Sequence, residues 1–151
     1  MATGNLKTYL NNHGVKFVTI NHSKAYTAME VAESAHVKGK EMAKSVVLKI
    51  DGKLAMAVLP ATQKVHVDRL KKATGAGSVE IARESEFQGY FPGCELGAMP
   101  PFGNLFGMDV YVDPHLAEDE EIAFNAGSHT ELMWIPYRDF ERLTKPKTLP
   151  L

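Results

Sequence analysis

A chain of 151 residues has the length of one domain and is too short for two ordinary ones. Hydrophobic residues make up 44% of it and charged residues 23%, which is typical of a folded globule and excludes wholesale disorder. The 17 lysines and arginines nearly balance the 18 aspartates and glutamates, giving a formal net charge of −1. This balance argues against a protein that coats duplex DNA, but it leaves room for one that touches only the end of a nucleic acid.

The single cysteine, Cys94, excludes an intramolecular disulfide and a cysteine-rich zinc module. The N-terminus has no apolar run behind a basic start, so we expect no secretory signal. No stretch approaches the roughly 20 apolar residues of a membrane-spanning helix. These features predict a cytoplasmic protein that has neither DNA nor a membrane as a partner.

The first third of the chain predicts two helices with a strand between them. Apolar residues at helical spacing over residues 6–10 predict the first helix, and Gly14 ends it. Residues 17–20 are typical of a strand. Thr27 and Glu30 have the spacing of a capping box, which predicts the start of a second helix.

The clearest predicted element is a β-hairpin. Residues 44–50 and 54–59 are largely apolar and flank Asp51-Gly52, a dipeptide that favours a two-residue turn. Beyond the hairpin, the pattern predicts a helix over residues 68–73 ended by Gly75, a strand over 78–81 and another helix that begins with residues 84–87.

The segment from Gly89 to Gly107 is too rich in glycine and proline for a long helix or a central strand. After it we predict three strands and a last helix that begins at Pro136. Residues 144–151 hold two prolines and two lysines, and we expect them to form a flexible tail. Strands mixed with short helices predict a single α/β domain over residues 1–143 with a mixed, largely antiparallel sheet. The three strands are predicted over residues 108–112, 121–125 and 130–135.

Metal and thiol chemistry have little support in the spacing. The six histidines never pair at one-turn spacing, so we expect no metal and no other cofactor. His115 with Glu118 and Asp119 is the only tempting ligand set, and a solvated loop explains it better. Cys94 could act as a nucleophile if His129 approached it, but no cysteine-enzyme motif surrounds it.

Lys44 is more informative. In its strand the even positions Val46, Leu48 and Ile50 form the apolar row, so Lys44 shares their inward face and Lys49 points outward. A lysine on the core side of a sheet must emerge in a cleft, meet an anion or lose its charge. If the strand begins one residue later, Lys44 precedes it and is solvated. The alternation of side chains along the strand does not by itself decide between an inward and a solvated Lys44.

A second candidate is the loop that starts at Gly97. Its two prolines fix the backbone, and its glycines permit another chain or a ligand to approach closely. Such a loop can present bare N–H and C=O groups as a rigid rim, although an ordinary connecting loop is the alternative. The residues of the loop are Gly97, Ala98, Met99, Pro100, Pro101, Phe102 and Gly103.

Five short motifs follow one another in an order that is informative as a whole. They are Tyr26-Thr27, Ala43-Lys44-Ser45-Val46-Val47, Gly89-Tyr90, the loop from Gly97 to Gly103, and Phe124-Asn125-Ala126-Gly127-Ser128. Together they resemble the YbaK/prolyl-tRNA-synthetase-associated editing family, over residues 22 to 140. The strand lysine combined with the GxxxP-F-G loop is quite specific, whereas each alone would be weak.

The resemblance implies a barrel-like mixed sheet and an enzyme that hydrolyses the ester bond of mischarged tRNA. In the family no protein side chain attacks: the lysine, here Lys44, positions the terminal adenosine and its phosphate, and the tRNA 2′-hydroxyl assists water. The implied partners are the 3′ acceptor end of aminoacyl-tRNA and an aminoacyl-tRNA synthetase. The implied substrate-binding residues are Tyr26, Thr27, Ser45, Gly97 to Gly103, Gly127, Ser128 and His129.

We also expect Met99 and the paired prolines to narrow the rim of the pocket, which favours a small amino acid. Two other functions remain open from the sequence. One is a non-catalytic module that uses the same cleft to recruit tRNA or a synthetase. The other is a thiol hydrolase that depends on Cys94.

Overall fold

The computed structural model describes residues 3–22, 29–30, 32, 37–91, 93–95 and 97–151. The helices among them are α1 (Thr3–Asn12), α2 (Val67–Thr74), α3 (Glu84–Phe87) and α4 (Tyr137–Thr144). The strands are β1 (Val18–Asn21), β2 (Ala43–Ile50), β3 (Lys53–Pro60), β4 (Val79–Ile81), β5 (Asp109–Val112), β6 (Glu121–Ser128), β7 (Glu131–Pro136) and β8 (Lys147–Thr148). None of the described helices is long and apolar enough to cross a membrane.

The predicted hairpin is confirmed as β2 and β3, which pair from Ala43 opposite Pro60 to Ile50 opposite Lys53. Asp51 and Gly52 both have positive φ, 49° and 81°, as a two-residue turn of type I′ requires. The hairpin therefore sets the register, and with it the face on which each side chain of β2 lies.

The described strands form two sheets, in the orders β1-β7-β6 and β4-β2-β3-β5-β8. Only the pairs β3–β5 and β5–β8 are parallel, so the predicted mixed, largely antiparallel α/β domain is confirmed. A single parallel bridge between Met42 and Ala123 joins the edge of β6 to the residue just before β2. The described strands do not close into a barrel.

The main hydrophobic core lies between the two sheets, and Phe102 is fully buried within it. The ring of Phe102 meets those of Tyr9, Phe124 and Phe140 with centroids 6.2, 5.7 and 6.0 Å away. These edge-on contacts link α1, β6 and α4 through one loop residue. The loop that carries Phe102 is thus fixed from beneath by the core.

A second apolar cluster covers the other face of the five-stranded sheet, and it corrects the prediction of a flexible tail. Residues 147–148 pair with β5, and Leu151 is buried. The Leu151 N–H donates to Asp113 Oδ2 at 3.1 Å, and its carbonyl accepts from the His66 N–H at 2.7 Å. Local composition predicted the tail wrongly because its partners lie far away in the sequence.

Candidate active site

The two glycine-bearing loops singled out in the sequence are bound to each other. The Glu95 N–H donates to the Gly127 carbonyl at 2.8 Å, and the Gly127 N–H donates to the Ala98 carbonyl at 3.0 Å. Gly127 lies where the pairing of β6 with β7 shifts register between Asn125 and Ser128, and its φ of 102° favours glycine. This bulge frees backbone groups of β6 to hold the loop.

Gly97 and His129 are in contact where the two loops meet. A Cβ added to Gly97 would lie 3.4 Å from His129 Cε1, and its φ of 85° disfavours any larger residue. His129 is buried, and its Nε2 lies 3.8 Å from Glu95 Oε2, while its backbone N–H donates to the same oxygen at 3.4 Å. Glu95, which sequence reasoning missed, therefore orients His129 against Gly97.

Other loop residues face inward instead of lining a rim. Ala98, Met99, Pro100 and Pro101 are buried, and Met99 packs in the main core. Met99 Sδ accepts a 3.3 Å hydrogen bond from the Gly97 N–H. The expectation that the Met99 side chain narrows the rim of a pocket is therefore not supported.

Phe102 and Gly103, which the resemblance implies to be substrate-binding, have a clear packing role. Phe102 is the ring at the centre of the core described above. A Cβ added to Gly103 would come within 3.0 Å of Met56 Cβ and 3.2 Å of Val110 Cγ2. A larger residue at position 103 would have to push these side chains apart by a few tenths of an ångström, so this end of the loop packs tightly on the core.

Lys44 lies on the predicted face of β2, with Val46, Leu48 and Ile50, and is half-buried. Burial lowers the pKa of Lys44 below its ordinary value, and the positive charge of Lys64 lowers that pKa further. Lys49 lies on the opposite face of β2, as predicted, and its Nζ is 2.8 Å from Glu86 Oε2.

The edge of β6 links Lys44 to the two loops. Met42 occupies this edge at Ala123, Glu95 and Ala98 occupy it at Gly127, and Asn125 lies between the two attachments. Because side chains alternate along strands, Lys44 and Asn125 both lie two residues beyond the bridge on the same face. Asn125 is only 7% exposed, and its Oδ1 has no hydrogen-bond partner. An unsatisfied buried acceptor calls for an explanation, and a bound ligand would provide one.

Four of the predicted site residues add no described side chain to this arrangement. Ser45 is half-buried on the face of β2 opposite to Lys44, toward Ala43 and Val47. Tyr26 and Thr27 lie outside the described residues. Ser128 is at the hairpin end, where its Oγ accepts from the Thr130 N–H at 3.3 Å.

Metal and thiol candidates also have positions in the structure. His115 binds Asp113 through Nδ1 at 2.6 Å, and it does not form the predicted alternative set with Glu118 and Asp119. Among the described residues, no group of three or more His, Cys, Asp and Glu side chains could hold a metal ion. Cys94 is half-buried and packs against the main core.

The comparison with protein families decides the relationship. Residues 22–143 match the family model described as the aminoacyl-tRNA editing domain. The chain belongs to this family. Its strand lysine and its GxxxP loop, on which the predicted resemblance depends, both lie within the matched range, and the predicted editing-deacylase chemistry is confirmed at the level of the family.

Individual relatives of this editing domain agree with the family match. The chain is 28% identical over 143 residues to the multifunctional Ser/Thr-tRNA deacylase ProXp-y of Escherichia coli K12, covering 91% of this chain and 85% of that protein. It is 27% identical over 88 residues to the proline–tRNA ligase of Bacillus mycoides, covering 58% of this chain and 15% of the ligase.

A solved structure shows the same fold. The crystal structure of a candidate trans-editing enzyme for prolyl-tRNA synthetase superposes with a TM-score of 0.83 at 19% identity. The match covers 99% of this chain and 95% of that one. The editing-domain architecture is therefore shared across nearly the whole length of both proteins.

Proposed function

We propose that this chain is a trans-editing deacylase that hydrolyses the ester between a small amino acid and the 3′ end of a mischarged tRNA. The observation that carries the proposal is the attachment of Glu95 and Ala98 to Gly127, one strand from Lys44. This attachment brings a half-buried cation, a loop held through its backbone and a buried amide to one edge of β6. The loop and the strand thus supply positioning and charge stabilisation, which can account for most of a rate enhancement.

Lys44 is the proposed catalytic residue. Its ammonium group binds the substrate phosphate next to the terminal adenosine or the oxyanion that forms on the ester carbonyl. The Gly97 N–H is directed at a thioether sulfur, which is a weak acceptor, so a substrate oxygen can replace it at small cost. Asn125 Oδ1 accepts a hydrogen bond from the substrate and so becomes satisfied.

Water is the nucleophile in this proposal, and the 2′-hydroxyl of the terminal ribose helps to position it. The water oxygen forms a bond to the carbonyl carbon, the bond from that carbon to the ribose oxygen breaks, and the water proton reaches the leaving oxygen. The products are a free amino acid and uncharged tRNA. The vicinal hydroxyl already lies beside the ester, so its use requires no additional protein group.

The proposed amino acid is small, such as serine, threonine, alanine or cysteine. The support now comes from the E. coli relative, which is named a Ser/Thr-tRNA deacylase. The similarity to part of a proline–tRNA ligase supports a prolyl-tRNA synthetase as a second proposed partner. Charged tRNAs and the synthetases that produce them are in the cytoplasm, and we propose the same location for this chain.

The test is a panel of tRNAs charged with small and bulky amino acids, each also prepared with a 2′-deoxy terminal adenosine. We expect hydrolysis of small aminoacyl esters, slowed roughly 10²–10⁴-fold by the 2′-deoxy substitution, while binding changes little. Equal rates on the two forms would require a protein base, and faster cleavage of an aromatic ester would reject the small-substrate proposal. Binding without hydrolysis of any ester would favour the non-catalytic module.

Cys94→Ala and EDTA treatment are the controls for the other chemistries. We expect each to leave turnover within about twofold of the untreated wild type, because Cys94 packs on the core and the described residues hold no metal cluster. A large loss with either would restore the thiol or metal mechanism.

A further inference from the structure

A cavity of about 480 Å³ lies beyond the C-terminal end of β3, in the segment that contains Lys64. Its described lining carries four groups that are positive or can become so, namely Lys64, His66, Arg69 and His115. All four residues are exposed, so their polar ends are available to a ligand. The cavity is formed by α2, the segment before it and the turn after β5.

The carboxylate of Asp113 lies in the lining, but it does not neutralise the positive charge that the cavity presents to a ligand. Asp113 is 2% exposed, and its Oδ1 binds both the backbone N–H and the Nδ1 of His115, at 2.9 and 2.6 Å. Its other oxygen accepts from Leu151. The carboxylate raises the pKa of His115 and so favours an imidazolium whose second N–H remains available. Asp68 and Glu118 are near in sequence but do not line the cavity.

Lys64 connects this cavity to the candidate active site. Lys44 pairs with Leu59 near the end of β3, and Lys64 follows four residues after that strand ends at Pro60, so the charge of Lys64 acts on Lys44 and lowers its pKa. Among the described residues, no carboxylate forms an ion pair with either lysine. Like charges held together without a protein counterion are stabilised by a bound anion. In a chain of net charge −1, such a row of cations is a local feature of this surface.

We propose that this basic cavity binds the phosphodiesters of the single-stranded 3′ end of the tRNA, just upstream of the nucleotide that Lys44 holds. The proposal rests on the proposed function, because it takes the aminoacylated adenosine to lie at Lys44. Lys64 and Arg69 bind the phosphate oxygens, and His66 and His115 add donors at the cavity wall. Such contacts position the strand without reading its sequence.

The double variant Lys64→Ala/Arg69→Ala tests the cavity against a matched control, Lys53→Ala/Arg138→Ala. The control removes the same two charges from exposed positions outside the cavity. We expect the cavity variant to raise KM for charged tRNA on the order of tenfold with kcat within about twofold, and the control to change neither. In a plot of log affinity against log salt concentration, the slope for the cavity variant should be shallower than that for wild type by about 1.4. This corresponds to two lost phosphate contacts at roughly 0.7 each.

An aminoacyl-adenosine without phosphates separates this proposal from the proposed function. Wild type and cavity variant should hydrolyse it at equal rates, because it cannot reach the cavity. If the variant is slower on this substrate too, Lys64 and Arg69 act at the ester or on the fold, and the proposal is wrong. If wild type hydrolyses neither this ester nor any charged tRNA, the proposed function fails, while tRNA binding still tests the cavity.

Binding by uncharged tRNA and by inorganic phosphate distinguishes the source of the anion. We expect fluorescence anisotropy to show weaker binding of tRNA by the cavity variant, and equal binding of wild type and variant to tRNA that lacks its terminal CCA. Equal affinity of the two proteins for intact tRNA would overturn the proposal. A cavity variant that loses affinity for inorganic phosphate but not for tRNA would also overturn the proposal, because the cavity would then be a site for the free phosphate ion.

Discussion

Two lysines of β2, five residues apart on opposite faces, lie in opposite electrostatic environments. Lys49 Nζ is 2.8 Å from Glu86 and 3.7 Å from Glu80, and Glu86 raises the pKa of Lys49. Lys44 has no carboxylate partner among the described residues, and burial together with Lys64 lowers its pKa. Among the described residues, one strand thus presents an ion-paired cation on one face and a cation without a carboxylate partner on the other.

This contrast indicates which lysine serves the fold and which serves a ligand. An ion pair with a neighbouring helix, such as Lys49 with Glu86 of α3, ties two elements together and is complete without any other molecule. A half-buried lysine beside a second cation is an electrostatic cost to the free protein. An anionic substrate removes this cost on binding, which is what a tRNA end at Lys44 would do.

The strongest test of the contrast is Lys44→Ala beside Lys49→Ala. We expect Lys44→Ala to lower kcat/KM for charged tRNA by roughly 10²–10³-fold, as loss of one preorganised electrostatic group does. Lys49→Ala should stay within about threefold, because an exposed ion pair contributes little. Circular dichroism and thermal unfolding check that both variants are folded. Activity of Lys44→Ala within a few-fold of wild type would remove Lys44 from the mechanism.

Asn125 sharpens the same contrast, since its buried Oδ1 has no hydrogen-bond partner and lies on the same side as Lys44. In Asn125→Leu the orphan acceptor is replaced by an apolar group of similar size, so the free energy of unfolding should stay the same or rise. The loss of one substrate hydrogen bond should lower kcat/KM about fivefold to tenfold. Asn125→Ala controls for steric blocking. If both variants keep full activity, or if both are destabilised, Asn125 is a structural residue.

The smallest expected effect concerns the Lys49 side. Lys49 and Arg83 lower the pKa of Glu86 from 4.5 to about 2. Because the folded pKa is the lower one, the stabilisation is present above pH 4.5 and is lost as the pH falls toward 2. Urea unfolding at several pH values should therefore show wild type more stable than Glu86→Gln at neutral pH, with the difference vanishing near pH 2. A difference in stability between wild type and Glu86→Gln that does not change with pH would mean that Glu86 stabilises the fold by packing and not by its charge.

The sequence by itself determined the elements whose causes are local. Asp51-Gly52 specifies a turn that only two positive φ values allow, and it set the register of β2 and the face of Lys44. Gly75 ends α2 in the left-handed conformation, as predicted. The motif order, with Lys44 and the Gly97 loop, was enough to identify the editing family, which the family match confirms.

Only the tertiary structure decided how distant segments meet. The attachment of Glu95 and Ala98 to Gly127, the position of Asn125 at the open edge and the tie between Leu151 and Asp113 join residues about 30 to 40 positions apart. The sequence places Phe102 and Met99 on the same loop without showing that either is buried, and the structure packs both of them in the main core. Turns and strand faces follow from neighbours in sequence, whereas these contacts depend on which backbone groups and cavities the packed sheets leave unfilled.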